Sequence, residues 1–597
     1  MFDQMSLYPE TNSRRIALTQ DGMWNFRFDP ESIGEEQKWM NHLDSSISIP
    51  VPASFADLFT DQYSKNYCGD FWYEKDMFVP NFEGRVQLRF GSVTHRCTVY
   101  VNGKAVVSHE GGFLPVLCDV TDYVNKGEIN HIAVRGNNEL NESSLPCGAV
   151  KTLNDGTKIA APYFDFFNYA GIQRSVYLVF IPEEHIQDYN TVISLENDKA
   201  YVDYEVFTNG NNDVVVTLCD KENNVVCKSQ GKKGQLQVEK PHLWKVRNAY
   251  LYSLKIEIKD DEKLIDEYNA KIGLRTVKID GTKILVNNEP VYLKGFGKHE
   301  DFDIIGRGFN YPLVKRDFEC MKWTNANCFR TSHYPYAEEW YQFADEEGFL
   351  IIDEVPAVGM MRSTHNFAVA GMGQYTYFFE TPTVPELLKN HLLQVEEMIE
   401  RDKNHPSVFA FSLFNEPETT STYSHDYFSK VFERARQLDP QHRPMTGAFE
   451  KNSAPEKCQC YMLCDFMCLN RYYGWYISGG PDINDAIDKF HDEMKRWQAK
   501  GLNVPFVFTE FGTDTLATEH KLPSVMWSQE YQNEYLERNF EVFDTYDFIQ
   551  GELVWNFADF QTTEGIFRVN GNKKGVFNRE RQPKDAAFVL KKRWADK

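Results

Sequence analysis

The sequence predicts a multidomain fold: an N-terminal jelly-roll-like β-sandwich, an immunoglobulin-like β-sandwich and a C-terminal (β/α)8 TIM barrel. The chain has 597 residues, more than a single hydrophobic core usually organises. Short strand-like runs separated by turn residues fill the first half of the chain. Apolar runs then alternate with helical stretches, a rhythm that indicates a parallel barrel. We expect domains at residues 1–182, 183–276 and 277–597.

The first predicted unit reads as an antiparallel sandwich. Strand-like runs occur at residues 86–90, 97–101 and 131–134. The pair Asn102-Gly103 follows the second run and is a strong signal for a tight β-hairpin turn. These features indicate an antiparallel β-sandwich. Its aromatic content suits a sugar-binding-like domain, although aromatic residues more often belong to the hydrophobic core.

The second predicted unit repeats the all-β pattern on a smaller scale. Its alternating runs lie at residues 201–207, 214–218 and 252–258. About ninety residues of short strands suit an immunoglobulin-like sandwich. No residue here looks catalytic, so we expect this unit to serve packing and spacing.

The third predicted unit alternates between strands and helices. Helical stretches are expected at residues 313–325 and 385–402. The expected strands lie at residues 291–293, 349–352, 408–414, 504–508 and 552–555. Between two of these elements, residues 358–383 are rich in Gly, Ser, Thr and aromatics and have no clear period. A loop of this length inside a compact domain is usually functional or mobile.

Charge and hydropathy exclude several classes of partner. The formal net charge is −23, which argues against binding to nucleic acid or to an anionic membrane. No apolar run reaches the length of a membrane span, and the first residues lack the layout of a signal peptide. The sequence therefore predicts a cytoplasmic protein.

Cysteine usage predicts neither disulfides nor a metal site. The twelve cysteines are spread irregularly, as is typical of reduced and mostly buried thiols. The one cluster, Cys458, Cys460, Cys464 and Cys468, lacks the paired spacing of structural zinc sites. We expect no metal and no cofactor.

Two apolar strands end in a glutamate. Glu416 follows the run at residues 408–414, and Glu510 follows a second run, FVFT. Parallel barrels carry their chemistry at the carboxyl ends of the strands, so these side chains are catalytic candidates. Glycosidic bonds break through an oxocarbenium-like state that needs two carboxyl groups. A lone buried glutamate would more often be structural, but two at matching strand ends favour a glycosidase.

The motifs around these glutamates resemble the signatures of glycoside hydrolase family 2. Residues 327–335 read NCFRTSHYP, and residues 402–417 run from DKNHP to NEP. Phe411 stands where the second signature usually has Trp, which keeps an aromatic in the strand. The resemblance extends from near residue 14 to the C-terminus.

Within that family, the chain is most similar to the bacterial, gut-type β-glucuronidases. The segments that carry this similarity are residues 470–476, 554–560 and 572–575. The resemblance implies that Glu416 is the acid/base and Glu510 the nucleophile. It also implies sugar contacts from Asp165, His333, Asn415, Asn470, Tyr472, Tyr476, Trp555 and Arg568.

A glucuronide carries a carboxylate, which needs cationic or hydrogen-bonding partners when it is buried. Asn572 and Lys574, with Arg568 four residues before Asn572, supply an amide and two cations. An Asn-x-Lys motif alone is usually a solvated turn. In its longer context it resembles the carboxylate clamp that separates glucuronidases from β-galactosidases in the family.

The sequence thus predicts retaining hydrolysis of β-D-glucuronides through a covalent glycosyl-enzyme intermediate. Expected partners are small glucuronide conjugates or oligosaccharides that end in glucuronic acid, and the family implies a homo-oligomer, a tetramer or a dimer. A β-galacturonidase would use the same clamp with an inverted 4-hydroxyl, and a β-galactosidase would need no clamp. A non-catalytic carbohydrate-binding protein would have lost one carboxylate, whereas both are present.

Overall fold

The computed structural model describes residues 6–361 and 378–597 and confirms the predicted three-part fold. Two successive antiparallel β units precede a closed barrel of eight parallel strands. The boundaries at residues 182 and 276 stay predictions. Most of the predicted loop 358–383 lies outside the described residues.

The N-terminal unit is a sandwich of two antiparallel sheets. Its strands are β1 (Ile16–Thr19), β2 (Gly22–Asp29), β3 (Ile47–Val51), β4 (Asp70–Val79), β5 (Arg85–Phe90), β6 (Val93–Thr94), β7 (Arg96–Val101), β8 (Lys104–Glu110), β9 (Val116–Asp119), β10 (Glu128–Asn137), β11 (Gly148–Thr152), β12 (Lys158–Pro162), β13 (Gly171–Ile172) and β14 (Val176–Ile181). The sheets have the orders β1-β14-β5-β9 and β3-β2-β4-β10-β7-β8. Their facing sides bury a common apolar core that includes Trp24, Leu88 and Val134. Asn102 and Gly103 both have positive φ in the β7–β8 turn, as the hairpin signal requires.

The second unit packs a three-stranded sheet on a four-stranded sheet. Its strands are β15 (Ile186–Glu196), β16 (Lys199–Thr208), β17 (Asp213–Cys219), β18 (Val225–Gln230), β19 (Lys233–Glu239), β20 (Tyr252–Asp260) and β21 (Lys263–Ile272). The sheet orders are β15-β16-β19 and β18-β17-β20-β21. Alternating residues such as Val202, Val216 and Ile256 fill the space between the sheets, which is the pattern expected of a sandwich.

A small three-stranded sheet leads into the barrel. It consists of β22 (Val277–Asp280), β23 (Lys283–Val286) and β24 (Glu289–Pro290). The barrel strands are β25 (Leu293–Lys298), β26 (Cys328–Thr331), β27 (Leu350–Glu354), β28 (Val408–Asn415), β29 (Met445–Phe449), β30 (Met467–Asn470), β31 (Phe506–Glu510) and β32 (Ile549–Val554). Trp244 and Ile284 join the first inward-facing residues of the strands, such as Leu293 and Phe409, in one apolar cluster. This cluster fills the amino end of the barrel, so the polar side chains collect at the carboxyl end.

The helices of the described residues lie mainly around the barrel. They are α1 (Gln62–Lys65), α2 (Tyr311–Trp323), α3 (Glu338–Glu347), α4 (Val384–Asp402), α5 (Thr422–Leu438), α6 (Ile483–Ala499), α7 (Gln529–Thr545) and α8 (Asp585–Asp596). Single-turn 3₁₀ helices lie at Phe378–Glu380, Tyr461–Leu463 and Gly480–Asp482. The side chains of Ser421 and Ser528 accept hydrogen bonds from the first turns of α5 and α7, which stabilises those termini. Across the described ranges, no helix combines the length and the apolarity needed to cross a bilayer.

The predicted strand at residues 291–293 is wrong in position. Strand β25 begins only at Leu293, because the backbone N–H of Val291 still donates to the carbonyl of Ile284 in the small sheet before the barrel. The two glycines of β25, Gly295 and Gly297, pack directly against neighbouring backbone and the Trp555 ring. Because glycine has no apolar side chain, β25 does not read as an apolar run, and the sequence pattern does not reveal it.

Candidate active site

The two candidate carboxyl groups lie on the same rim of the barrel. Glu510 is the last residue of β31, and Glu416 directly follows β28, whose eight residues are all buried. Asn470 ends β30 and stands beside Glu510 in the strand register. The backbone of Glu416 has φ of +50°, a left-handed conformation that turns the chain sharply out of the strand. Parallel pairing therefore brings residues distant in sequence to one edge.

The Asn470 side chain connects the end of β30 to the end of β28, where Asn415 and Glu416 lie. Its Nδ2 donates to Oε1 of Glu416 at 2.9 Å and to Oδ1 of Asn415 at 3.1 Å. Its Oδ1 accepts a hydrogen bond from Oγ1 of Thr509 at 2.7 Å, which fixes the orientation of the amide. The position of Glu416 is thus set by a neutral donor.

Glu510 is held by a cation and a phenol. Nη2 of Arg330 donates to Oε1 of Glu510 at 2.8 Å, and the Tyr472 hydroxyl donates to Oε2 at 2.6 Å. The same Nη2 also lies 3.0 Å from Oδ1 of Asn415. A hydrogen bond from a cation is stronger than one between neutral groups, so these contacts fix the orientation of the Glu510 carboxyl group.

Arg330 is buried and bridges two carboxylates. Its Nε lies 3.1 Å from Oε2 of Glu354, opposite the contact with Glu510. Burial alone would lower the pKa of the Arg330 guanidinium, but the charges of Glu354 and Glu510 outweigh burial and hold that pKa above its ordinary value. Glu354 also pairs with Nδ1 of His333 at 2.8 Å, and the His333 ring stacks on Trp555 with centroids 5.0 Å apart. These contacts fix the positions of the Arg330 and His333 side chains beside Glu510.

The two glutamates have different electrostatic surroundings. Burial raises the pKa of Glu416 well above its usual range, and the negative charge of Glu510 raises it further. The hydrogen bond from Asn470 opposes this shift. Among the described residues, Glu510 has Arg330 as a direct ionic partner, while the Glu416 side chain accepts its hydrogen bond from the neutral amide of Asn470. Glu416, whose raised pKa favours its protonated form, and Glu510, which is paired with Arg330, therefore stand on the same rim of the barrel, the arrangement that acid and nucleophile roles need.

The predicted clamp residues form a second polar group on the same side of the barrel. Nζ of Lys574 donates to Oδ2 of Asp514 and, at 2.9 Å, to the hydroxyl of Tyr476. Burial alone would raise the pKa of Asp514, but Lys574 and Arg568 outweigh burial and hold it below its ordinary value. Asp514 is therefore ionised in its buried contact with Lys574.

Arg568 and Asn572 meet an aspartate from the N-terminal unit. Nε of Arg568 lies 2.9 Å from both carboxylate oxygens of Asp165, and Nδ2 of Asn572 donates to Oδ2 of Asp165 at 3.1 Å. Nη2 of Arg568 donates to the Tyr476 hydroxyl at 3.0 Å. The first unit of the chain thus forms part of the wall of a site that belongs to the third.

An aromatic pair joins the carboxyl group of Glu510 to the clamp. The rings of Tyr472 and Tyr476 meet edge to face with centroids 5.1 Å apart. The Tyr472 hydroxyl bonds Glu510, and the Tyr476 hydroxyl bonds Lys574. The two polar groups are therefore the two ends of one continuous surface.

Family models match almost the whole chain. The model for the TIM barrel domain of glycosyl hydrolases family 2 matches residues 277–596. The sugar binding domain of the same family matches residues 18–182, and a third model, glycosyl hydrolases family 2, matches residues 184–275.

The chain belongs to glycoside hydrolase family 2.

Relatives in this family cover the chain from end to end. It is 41% identical over 600 residues to a protein of Paenibacillus borealis named beta-glucuronidase, covering 99% of this chain and 98% of the relative. It also resembles the solved structure of a Ruminococcus gnavus beta-glucuronidase, with 65% identity, a TM-score of 0.98 and 99% of both chains covered. A further structure of that enzyme, in complex with uronic isofagomine, gives 64% identity, a TM-score of 0.98 and the same coverage.

All the residues proposed from the sequence for this family 2 site fall into the two connected groups. The group around the carboxyl pair holds Glu416, Glu510, Asn415, Asn470, Tyr472, His333 and Trp555, and the clamp group holds Lys574, Asn572, Arg568, Tyr476 and Asp165. Three further side chains belong to the site but are not predicted from the sequence: Arg330, Glu354 and Asp514. Arg330 lies inside the quoted NCFRTSHYP segment, and Asp514 comes four residues after Glu510. Both were therefore accessible to a search for charged residues near strand ends.

Potential metal ligands gather at one surface position of this family 2 chain. Within residues 6–361 and 378–597, the single such group is His520, Glu530 and Asp585, of which His520 and Asp585 are exposed. The twelve cysteines are free thiols. Burial raises the pKa of Cys468 to about 12, so this thiol stays protonated at neutral pH.

Proposed function

We propose that the protein is a retaining β-glucuronidase, which hydrolyses β-D-glucuronides to D-glucuronic acid and an alcohol or phenol. The observation that carries this proposal is the contact path from Glu510 through Tyr472 and Tyr476 to Lys574. It joins a carboxyl pair suited to glycosidic bond cleavage to a cationic clamp suited to a uronate.

In the first step, Glu416 protonates the glycosidic oxygen while Glu510 attacks the anomeric carbon. The bond from C1 to the aglycone oxygen breaks, and an ester bond between C1 and Glu510 forms. Because its pKa is raised, the Glu416 carboxyl group holds the proton that it donates. The hydrogen bonds from Arg330 and Tyr472 orient the Glu510 carboxylate for attack.

In the second step, water releases the sugar. Glu416, now deprotonated, accepts a proton from the water as its oxygen attacks C1, and the ester bond to Glu510 breaks. The configuration at C1 is retained because two displacements follow one another. Asn415 holds the sugar 2-hydroxyl, since its amide is fixed by Arg330 and Asn470 beside both carboxyl groups.

The substrate carboxylate binds at Lys574 and Asn572, with Arg568 behind them. The two cations are already paired with Asp514 and Asp165, so the site holds a balanced charge before the substrate arrives. The uronate adds its charge next to a guanidinium and an ammonium that are fixed in position. Such preorganised donors lower the cost of ordering the site on binding.

The relatives support the choice of sugar. Proteins named beta-glucuronidase match this chain over at least 98% of its length, and the similar Ruminococcus gnavus enzyme has been solved with uronic isofagomine, a sugar analogue that carries an acid.

A series of three substrates tests the proposal. The protein is assayed with p-nitrophenyl β-D-glucuronide, β-D-galacturonide and β-D-galactoside, and we expect the glucuronide to give the highest kcat/KM. Lys574→Ala should lower that value by about 10- to 100-fold, because a hydrogen bond to a charged group contributes about 1.5–3 kcal/mol. Lys573→Ala, at the neighbouring and partly exposed lysine, is the control.

Each other outcome points to a different error. If the galactoside is cleaved best and Lys574→Ala leaves that rate unchanged, the clamp is wrong. If the galacturonide and the glucuronide give equal kcat/KM values, the carboxylate clamp is supported, but the enzyme does not discriminate at the 4-hydroxyl. If no substrate is cleaved, the chain is a carbohydrate-binding protein and not an enzyme.

We also propose that the enzyme works in the cytoplasm as a homo-oligomer, a tetramer or a dimer, on glucuronide conjugates or oligosaccharides that end in glucuronic acid. The free thiols and the net charge of −23 support a reducing compartment and a substrate that is not a nucleic acid or a membrane. Light scattering on the purified protein gives the subunit number, and a monomer would contradict the proposal.

A further inference from the structure

A third carboxyl group, Glu450, stands on the catalytic rim. It directly follows strand β29, which lies between β28 and β30 in the barrel. The register pairs Phe449 with Leu469, so Glu450 comes next to Asn470 at the strand ends. The rim thus carries Glu416, Glu450, Asn470 and Glu510 on four consecutive strands.

The Glu450 side chain is fixed and almost excluded from water. It is 4% exposed, and its Oε2 accepts hydrogen bonds from the backbone N of Asn452 at 2.7 Å and from Nδ2 of Asn452 at 2.8 Å. Among the ion pairs of the described residues, none involves Glu450. Its cationic neighbour Arg471 is bound to Glu493 through three hydrogen bonds of 2.8–3.0 Å. The hydrogen bonds of Glu450 thus come from neutral donors, and its carboxyl group is buried without an ion-pair partner among the described residues. Pairing with a cation therefore does not explain why a glutamate lies here.

The resulting charge pattern around Glu416 is one-sided. The backbone N–H of Glu416 donates to the carbonyl of Ala448 at 2.8 Å, two residues before Glu450. The negative charges of Glu510 and Glu450 both raise the pKa of Glu416, while Arg330, which is shared between Glu354 and Glu510, opposes them. The groups that face Glu450 are Arg471 and Lys451, which favour its ionised form, together with the Asn452 donors. Burial raises the pKa of Glu450 to about 7 in spite of them, so Glu450 carries its charge on the alkaline side of neutral pH, the range in which the acid of the reaction loses its proton.

We propose that Glu450 is a positioning residue for the reaction, whose carboxylate acts electrostatically on Glu416 and keeps this acid protonated until the glycosidic oxygen takes the proton. The inference rests on the proposed function, in which Glu416 is the acid/base. Two like charges in one low-dielectric site resist simultaneous ionisation, so the charge of Glu450 stabilises the neutral form of Glu416.

The effect of Glu450 persists through both chemical steps. When Glu510 forms its ester with C1, the negative charge of Glu510 disappears and with it one of the two charges that act on Glu416. The Glu450 carboxylate forms no bond in either step and remains. Glu416 therefore keeps part of its raised basicity in the glycosyl-enzyme, at the moment when it must take a proton from water.

Glu450→Gln and Glu450→Asp form the matched test pair. The alkaline limb of the kcat/KM profile reports the proton of the acid in the free enzyme. Glu450→Gln removes the like charge, so Glu416 loses its proton at lower pH, and we expect that limb to move by about 0.5 to 1 pH unit toward acid. Glu450→Asp keeps the charge and should keep most of the wild-type limb. A pre-steady-state burst with a p-nitrophenyl substrate should show deglycosylation slowed several-fold in Glu450→Gln.

The possible outcomes separate this inference from the proposed function. A wild-type protein that cleaves no glucuronide overturns the function itself. A wild type that cleaves, with an unmoved limb in Glu450→Gln, overturns only the role of Glu450, because a structural defect lowers the rate equally at every pH. If Glu450→Gln does not fold, Asn452→Ala replaces it: removing the Nδ2 donor makes Glu450 harder to ionise, so the limb should move in the same direction by a smaller amount, and no movement counts against the role.

Discussion

The ammonium of Lys574 donates a hydrogen bond to Oδ2 of Asp514, and each of these side chains is only 1% exposed. The same Asp514 oxygen lies 3.3 Å from Nη1 of Arg568. One buried carboxylate therefore fixes both cations of the clamp. These long side chains are therefore ordered without the substrate, as the proposed selection of a charged sugar by a loop segment requires.

Asp514→Asn tests this anchoring role through stability. The amide keeps the shape of the side chain but leaves the Lys574 charge buried without its partner. Breaking a buried ion pair on one side costs about 3–5 kcal/mol, so we expect Tm to fall by about 5 °C or more. Calorimetry checks this value.

The control for that change is Asp544→Asn. Asp544 also bridges two cations, Arg593 and Lys597, but its side chain is 47% exposed. Exposed pairs contribute little, so Tm should change by about 2 °C at most. Equal shifts in the two variants would mean that the Lys574–Asp514 pair has no special structural weight.

The two glutamates should fail in different ways. Glu416→Gln removes the proton donor, so kcat/KM should fall by about 10²–10⁴-fold with poor leaving groups and much less with dinitrophenol, which leaves without protonation. Glu510→Gln removes the nucleophile and should abolish cleavage of both substrates. Glu433→Gln, on the exposed face of α5, is the control. Activity that survives Glu510→Gln would show that another residue is the nucleophile.

The pH dependence of the wild type follows from the surroundings of Glu416. Its pKa is raised above the ordinary 4.5 by burial and by Glu510. The acid must be protonated to act, so kcat/KM should be lost only as pH rises through this raised value and should persist near neutral pH. In Glu416→Gln the alkaline limb should disappear. A limb of unchanged position in that variant would assign it to another group.

Asp165→Asn tests the contribution of the N-terminal unit. The change removes the charge that holds Arg568 and Asn572, while the Arg568 contacts with Tyr476 and Asp514 remain. Since Asp165 is partly exposed, we expect a moderate rise of about 3- to 10-fold in KM for the glucuronide, with kcat nearly unchanged.

The control is Asp155→Asn, an exposed aspartate of the same unit whose carboxylate serves only a local turn at Thr157. It should leave KM unaltered. A fall in kcat without a change in KM for Asp165→Asn would place Asp165 outside substrate binding.

The sequence pattern predicted the elements that are determined by neighbouring residues in the chain. The run at residues 408–414 became β28, because a strand covered on both faces needs an unbroken apolar sequence. The Asn102-Gly103 turn likewise followed from positive φ at both positions. Strand β25 was misplaced since its glycines are needed for close backbone approach and give no apolar signal.

Long-range pairing is what the sequence conceals. The partners of Arg330 include Glu354, Asn415 and Glu510, and the last is 180 residues away in the chain. Asp514 finds Lys574 across 60 residues. No spacing rule connects such residues, and they meet only because the barrel brings the strand ends to a single rim.

If Arg568 and Asn572 bind the uronate as proposed, their contact with Asp165 makes sugar specificity depend on the N-terminal unit as well as on the barrel. A fragment containing only the barrel would retain both carboxyl groups and lose one wall of the pocket. In a chimera whose first sandwich comes from another family member, the sugar preference would change along with the exchanged module. Recombination between relatives is therefore a route to new substrate selectivity that leaves the catalytic barrel intact.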